Sequence, residues 1–142
     1  MKKYKMLIAL AGGPYAEKVA LAGLVFGKPM NAEISLVSIV KPTSDVSEDG
    51  STSAEISEEL KISYRKNLET LVKKIFHDYP VKIFVEKGKP YSTILKKAAD
   101  WRADVIVMGI HTKVENSGYT KANDFDEIIK QVKIPLILIP EN

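Results

Sequence analysis

Between Ala103 and Lys113 the chain reads Ala-Asp-Val-Ile-Val-Met-Gly-Ile-His-Thr-Lys, and this stretch concentrates the groups that could do chemistry. An apolar run at 105–108 ends on Met108 and Gly109, a polar loop carries His111 and Lys113, and a helix start follows at Ala122-Asn123. A strand tip followed by a helix N-terminus offers backbone N–H groups to an anion, and α/β proteins seat nucleotide phosphates there. Lys113 reads either as a phosphate contact or as a solvated loop lysine. His111 reads as a phosphate contact, a catalytic group or an ordinary loop residue. Asn123 can cap the helix through its amide oxygen.

Other constellations point away from catalysis. The two histidines, His77 and His111, have no third ligand at metal spacing, so a zinc site is not expected. The absence of cysteine excludes disulfides and thiolate metal sites. Neither a Gly-x-Ser-x-Gly elbow nor a Walker A lysine motif occurs. Glu55, Glu58 and Glu59 resemble paired carboxylates, but they open a helix, where acids stabilise the dipole. Tyr91 and Trp101 read as packing residues. No general base stands opposite a phosphate site, so the chain is not expected to be an enzyme, and no cofactor is required.

These residues must be positioned by the rest of the chain. A length of 142 residues with 45% hydrophobic and 27% charged side chains suits one domain, 1–142, with a real core. A net charge of +3, with scattered lysines, is too mild for a nucleic-acid partner. No apolar run reaches membrane-spanning length, and the N-terminal run reads as a first strand rather than a leader, so a cytoplasmic location is the expectation.

A continuous apolar run at 6–10 reads as a strand buried on both faces, and 34–40 reads as a second buried strand. Alternation at 81–86 suits a strand nearer an edge, and 105–108 and 135–139 supply strands four and five. Helix one, 15–26, begins beside Pro14, with Val19, Leu21, Ala22 and Val25 on its apolar side. A mobile loop is expected at 41–53. A long helix, 54–78, then carries the stripe Leu60, Tyr64, Leu68, Leu71, Val72, Ile75 and Tyr79. Helix three faces the core with Ile94, Leu95, Ala98 and Ala99, and helix four with Phe125, Ile128, Ile129 and Val132. Strict β-α alternation implies a mostly parallel sheet with helices on both faces, an α/β three-layer sandwich.

The chain resembles the universal stress protein family, within the broader group of adenine nucleotide alpha hydrolase-like folds. The resemblance is carried by 6–18, Gly88-Lys-Pro-Tyr-Ser-Thr-Ile-Leu95, 103–111 and Ile134-Pro-Leu-Ile-Leu-Ile139. It implies a five-stranded sheet of order 3-2-1-4-5, with a ligand crevice where the order reverses. It also implies adenine contacts from backbone groups near Val37 and Ile39, and a homodimer formed through the edge strand from Pro135 to Ile139.

Nucleotide-binding members carry an Asp after strand one, then Gly-x2-Gly-x9-Gly-Ser/Thr after strand four. Here the aspartate position is Ala11, followed by Gly12; the first glycine is Gly109, the second position is Thr112, and the last pair is Ala122-Asn123. The spacing survives with one of three glycines. Glycine permits φ > 0 and close approach to phosphate oxygens, which Thr112 and Ala122 hinder. Ala11 cannot hydrogen-bond through its side chain, and a lost bond to a charged group costs about 1.5–3 kcal/mol. Asp124 adds a negative charge beside the phosphate position. Broader relatives that transfer nucleotidyl groups use His-x-Gly-His after strand one, where this chain has Ala-Gly-Gly-Pro. The expectation is therefore a universal stress protein-like, non-enzymatic regulatory module without tight ATP binding, acting through protein partners. The alternative is an ATP- or AMP-binding switch that uses weak backbone contacts, and a slow ATP hydrolase ranks last.

Overall fold

The computed structural model describes residues 3–11, 14–41, 53–110 and 122–140, with side chains described from residue 54 and residue 126 in the last two stretches. Five parallel strands form one sheet in the order β3-β2-β1-β4-β5: β1 (Lys5–Ala9), β2 (Glu33–Val40), β3 (Val81–Lys87), β4 (Val105–Ile110) and β5 (Leu136–Pro140). The helices are α1 (Pro14–Gly27), α2 (Ser53–Leu71), α3 (Pro90–Trp101) and α4 (Ala122–Gln131). A single wide π-helical turn, Val72–Phe76, extends α2.

Strand alternation divides the core into two layers. Met6, Ile8, Leu10, Ile34, Leu36, Val105 and Val107 meet α1 and α2, whereas Leu7, Ala9, Val37, Ile106 and Met108 meet α3 and α4. The central strand β1 is sealed from both sides, with Met6, Leu7 and Ile8 wholly buried. At its N-terminal end the sheet is stitched by Lys5: its N–H donates to Asp104 Oδ2 at 2.8 Å, and its ammonium donates to Trp101 O at 3.1 Å.

Several expectations are corrected. Helix one buries Ala16, Val19, Ala20, Gly23 and Gly27, while Leu21 and Val25 are 50% and 63% exposed. Its smallest residues, not its largest, face the sheet, because close approach to β1 requires them: a Cβ on Gly23 would press on Cγ1 and Cδ1 of buried Ile8. The long helix does not run unbroken to 78. His77 N–H bonds Val72 O at 3.2 Å, which widens the last turn, and His77 leaves it with φ 49°. The stripe thereby gains buried Phe76. Ala99 and Ile129 point outward, since Ile94 with Ala98 and Ile128 fill the core side of α3 and α4.

Three boundaries also move. The expected loop at 41–53 ends one residue early, because Ser53 already begins α2, and 42–52 lie outside the described residues. β4 continues through Gly109 and Ile110, which pair with Ile139 and Pro140 of β5. β5 correspondingly runs over Leu136–Pro140 rather than 135–139.

Candidate functional site

The sheet order reverses between β1 and β4. Their C-terminal tips diverge there into a crevice, because the chain leaves β1 and β4 toward opposite faces. A cavity of about 370 Å³ occupies this crevice, within the range of small-molecule sites. Its floor is Ala9, Leu10 and Ala11 from β1 and the residues after it, Val37, Ile39 and Val40 from β2, and Met108 and Gly109 from β4. Tyr15, Ala16 and Val19 of α1 and Leu60 and Tyr64 of α2 wall one side, and Pro90, Tyr91 and Ile94 of α3 wall the other.

Five of the residues singled out from the sequence, Ala11, Val37, Ile39, Met108 and Gly109, thus line one cavity. Ala122 and Asn123 lie in the first turn of α4. Since the helix already includes Ala122, Asn123 is inside it rather than the residue that caps it. Gly12, His111, Thr112 and Lys113 lie outside the described residues, as do the side chains of Asn123 and Asp124.

The cavity walls are chiefly aliphatic and aromatic. Lys41 is the charged side chain among the described residues that line it. The backbone supplies polar groups at the end of β2. Leu10 N–H donates to Val37 O at 2.9 Å, and this is the last rung of the β1–β2 ladder. On the alternation of a parallel ladder, the main-chain groups of Ile39 point the same way, toward the side that β1 has left. Ser38 points its hydroxyl to Leu10 O at 2.9 Å and fixes this exit.

At the tip of β4, beside the cavity, the Tyr15 hydroxyl sits at the last rung of the β4–β5 ladder. Ile110 N–H donates to Tyr15 Oη at 3.1 Å, Ile110 O lies 3.2 Å from the same phenol oxygen, and the phenol also bonds Ile139 O. The ring covers Gly109 so closely that a Cβ there would fall 2.9 Å from both Cζ and Oη. Gly109 is glycine here because it admits a tyrosine ring. Next to it, Lys18 Nζ donates to Pro140 O at 2.7 Å, which fastens α1 to the end of β5.

Tyr15, Tyr64 and Leu60 were not anticipated as site residues, and Tyr91 was read as packing only. The proline before Tyr15 marks a helix start, but no spacing rule links position 15 to partners 95 and 124 residues away. Trp101, in contrast, sits at the opposite end of the sheet, edge-on to Phe84 with ring centroids 6.3 Å apart and under Lys5. Among the described residues, no group of three His, Asp or Glu side chains could hold a metal ion, and no helix is long and apolar enough to cross a membrane.

A five-stranded parallel sheet of this order, with a cavity of about 370 Å³ at the reversal, is the architecture the sequence resemblance implies. The family model described as the universal stress protein family matches residues 4–140. The chain belongs to the universal stress protein family.

No curated protein matches the chain by sequence. Solved structures resemble it in fold. The hypothetical protein MJ0577 is 20% identical, with a TM-score of 0.73 over 99% of this chain and 97% of that one. The universal stress protein UspA from Lactobacillus plantarum is 13% identical, with a TM-score of 0.72 over 98% and 99%. A universal stress protein from Archaeoglobus fulgidus in complex with dAMP is 16% identical, with a TM-score of 0.65 over 98% and 99%. At these identities the likeness is one of fold.

Proposed function

We propose that this universal stress protein is a non-enzymatic regulatory module, cytoplasmic and homodimeric, whose crevice holds ATP weakly or not at all. The observation that carries the reading is the chemistry of the cavity floor. Where nucleotide-binding members present a carboxylate after strand one, this cavity presents the methyl group of Ala11, and its walls are otherwise largely apolar. A magnesium triphosphate needs several charged or hydrogen-bonding partners, and each missing one weakens binding by about 1.5–3 kcal/mol. The output of such a module is contact with other proteins, and the segment 41–53, beside the cavity residue Lys41, is a candidate for that contact.

The dimer is proposed through β5. The two sheet edges differ in kind. β3 carries Lys82, Glu86 and Lys87, with ion pairs Lys82–Glu33 at 3.4 Å and Lys97–Glu86 at 3.1 Å. β5 reads Leu-Ile-Leu-Ile-Pro, bears no charge, and has one free side in the sheet order. A charged edge resists pairing with another strand, whereas an uncharged apolar edge invites it.

A second reading has its own support. The cavity is of adenine-nucleotide size, the Ile39 backbone is directed into it, and a structural neighbour is described with dAMP bound. Under that reading the protein is a switch that holds AMP or ATP by backbone contacts. Thermal melting separates the two, since a ligand that binds the native state must raise the midpoint. Millimolar ATP or AMP with Mg²⁺ should leave the midpoint within about 1 °C; a rise of several degrees, about 1 kcal/mol or more for a domain of this size, would establish the switch instead. Slow ATP hydrolysis ranks last, and phosphate release above background would be its signature.

A further inference from the structure

We infer that the crevice is a site for an uncharged, largely apolar molecule built on a few fused or linked rings, with at most one polar edge. The inference deepens the reading of the crevice as a poor ATP site and rests on it.

The side chains around the cavity favour such a ligand. Apart from Lys41 and the rings of Tyr15, Tyr64 and Tyr91, every described residue that lines it is aliphatic, methionine, glycine or proline. Lys41 is exposed, so its ammonium stays in water, and an anion that meets it there gains little. Among the described residues no carboxylate lines the cavity, which leaves a cation without a partner. A charge of either sign would lose its hydration on entering and recover little of it.

The main chain of the floor is already engaged. Ala9 has ladder partners on both sides, Val37 and Met108. Leu10 N–H donates to Val37 O at 2.9 Å, and Leu10 O accepts the Ser38 hydroxyl at 2.9 Å. Val40 O accepts the Gly88 N–H at 3.0 Å, and Met108 and Gly109 stand opposite Leu138 and Ile139 of β5. Tyr15 commits its hydroxyl to Ile110 and Ile139 at the last β4–β5 rung, so its ring is what the crevice meets. Ile39 is the exception, since the ladder alternation turns its main-chain groups toward the side that β1 has left. One such pair serves one polar edge. A nucleotide brings a ribose and phosphates as well, and each polar group buried without a partner weakens binding.

An apolar ligand needs no further partners. A cavity of roughly 150 Å³ holds benzene, and the volume of about 370 Å³ here leaves room for several rings. Tyr15 and Tyr64 stand on one wall and Tyr91 on the other, so an aromatic ligand has rings to pack against from both sides.

The test titrates the wild-type chain, Ala11→Asp and Tyr91→Ala with N-phenylnaphthylamine, an uncharged aromatic amine whose fluorescence rises in apolar surroundings, and in parallel with ATP and Mg²⁺. The wild type should bind one probe per chain with a dissociation constant of about 10 μM or below, unmoved by added salt. Ala11 is exposed, so an aspartate there charges the crevice without entering the core. It should weaken the probe by about tenfold or more. Tyr91→Ala removes one aromatic wall and should weaken it by about fivefold or more. A crystal of the wild-type chain soaked in the probe should show it between Met108 and Tyr91.

The inference is overturned if the wild type shows no saturable probe binding. It is also overturned if neither variant weakens the probe, which would place it on the outer apolar surface. Density for the probe elsewhere overturns it whether or not the variants fold. Tight ATP binding by the wild type is a different failure: it sinks the reading of the crevice as a poor ATP site. Weak ATP binding without probe binding sinks only the ligand class inferred for it.

Discussion

At the scale of single residues, Tyr79 shows how one hydroxyl joins two distant segments. It follows the π-helical turn and donates to Ala32 O, 47 residues earlier, where the chain enters β2. Desolvation by burial raises its pKa above the ordinary 10.0. The folded state therefore keeps the proton longer than the unfolded chain. The stabilisation is complete below pH 10, and it is lost as the pH climbs from there through the folded-state value. Tyr79→Phe should cost about 0.5–1.5 kcal/mol at neutral pH, the worth of an ordinary hydrogen bond. Urea unfolding from pH 8 to 11 should then show the wild type losing stability above about pH 10 more steeply than the variant. Parallel curves would mean that Tyr79 titrates alike in both states.

At the scale of elements, α1 illustrates why some faces can be read from a sequence and others cannot. The strands were legible because burial on both sides demands apolar runs, which 6–10 and 105–108 have unbroken and 34–40 has with Ser35 and Ser38 between its apolar residues. β3 was legible as an edge because alternation over 81–86 puts the charged Lys82 and Glu86 on one face. Helix α1 is apolar nearly all round, so hydrophobicity alone could not choose its buried side. Leu21 and Val25 looked like the core residues, whereas steric fit selected Ala16, Ala20, Gly23 and Gly27. Gly23→Ala tests that selection. On an open helix the change would add about 0.5–1 kcal/mol of stability. Against wholly buried Ile8 it introduces overpacking of about 1–3 kcal/mol. The net should be a loss of about 1 kcal/mol, a fall of a few degrees in melting temperature. A more stable variant would show that Ile8 yields freely. The site was partly legible for a related reason. Residues on strand tips, such as Val37, Met108 and Gly109, follow from topology, but the contact of Tyr15 with Ile110 and Ile139 depends on tertiary placement that no local rule supplies.

At the scale of the whole molecule, the unlike edges of the sheet underlie the proposed dimer. Leu21 and Val25 of α1 and Ile129 of α4, 47% exposed, are among the large apolar side chains left at the surface. Such residues add apolar surface available to a second copy. Sedimentation equilibrium should give a dimer at micromolar concentration. Val25→Glu together with Ile129→Glu should weaken association by about tenfold or more while leaving the far-ultraviolet spectrum intact, because both side chains are exposed. A wild-type chain that remains monomeric at high concentration would remove the β5 interface from consideration.

Tyr15 lines the crevice with its ring and grips both β4 and β5 at their last shared rung with its hydroxyl. If the proposed dimer forms through β5, one side chain then belongs to two equilibria. A ligand that shifted the ring would loosen the strand on which the proposed dimer rests, and clamping that strand would hold the ring. Linkage would make the two effects equal in size, so that pocket occupancy and the pairing of copies would report on each other.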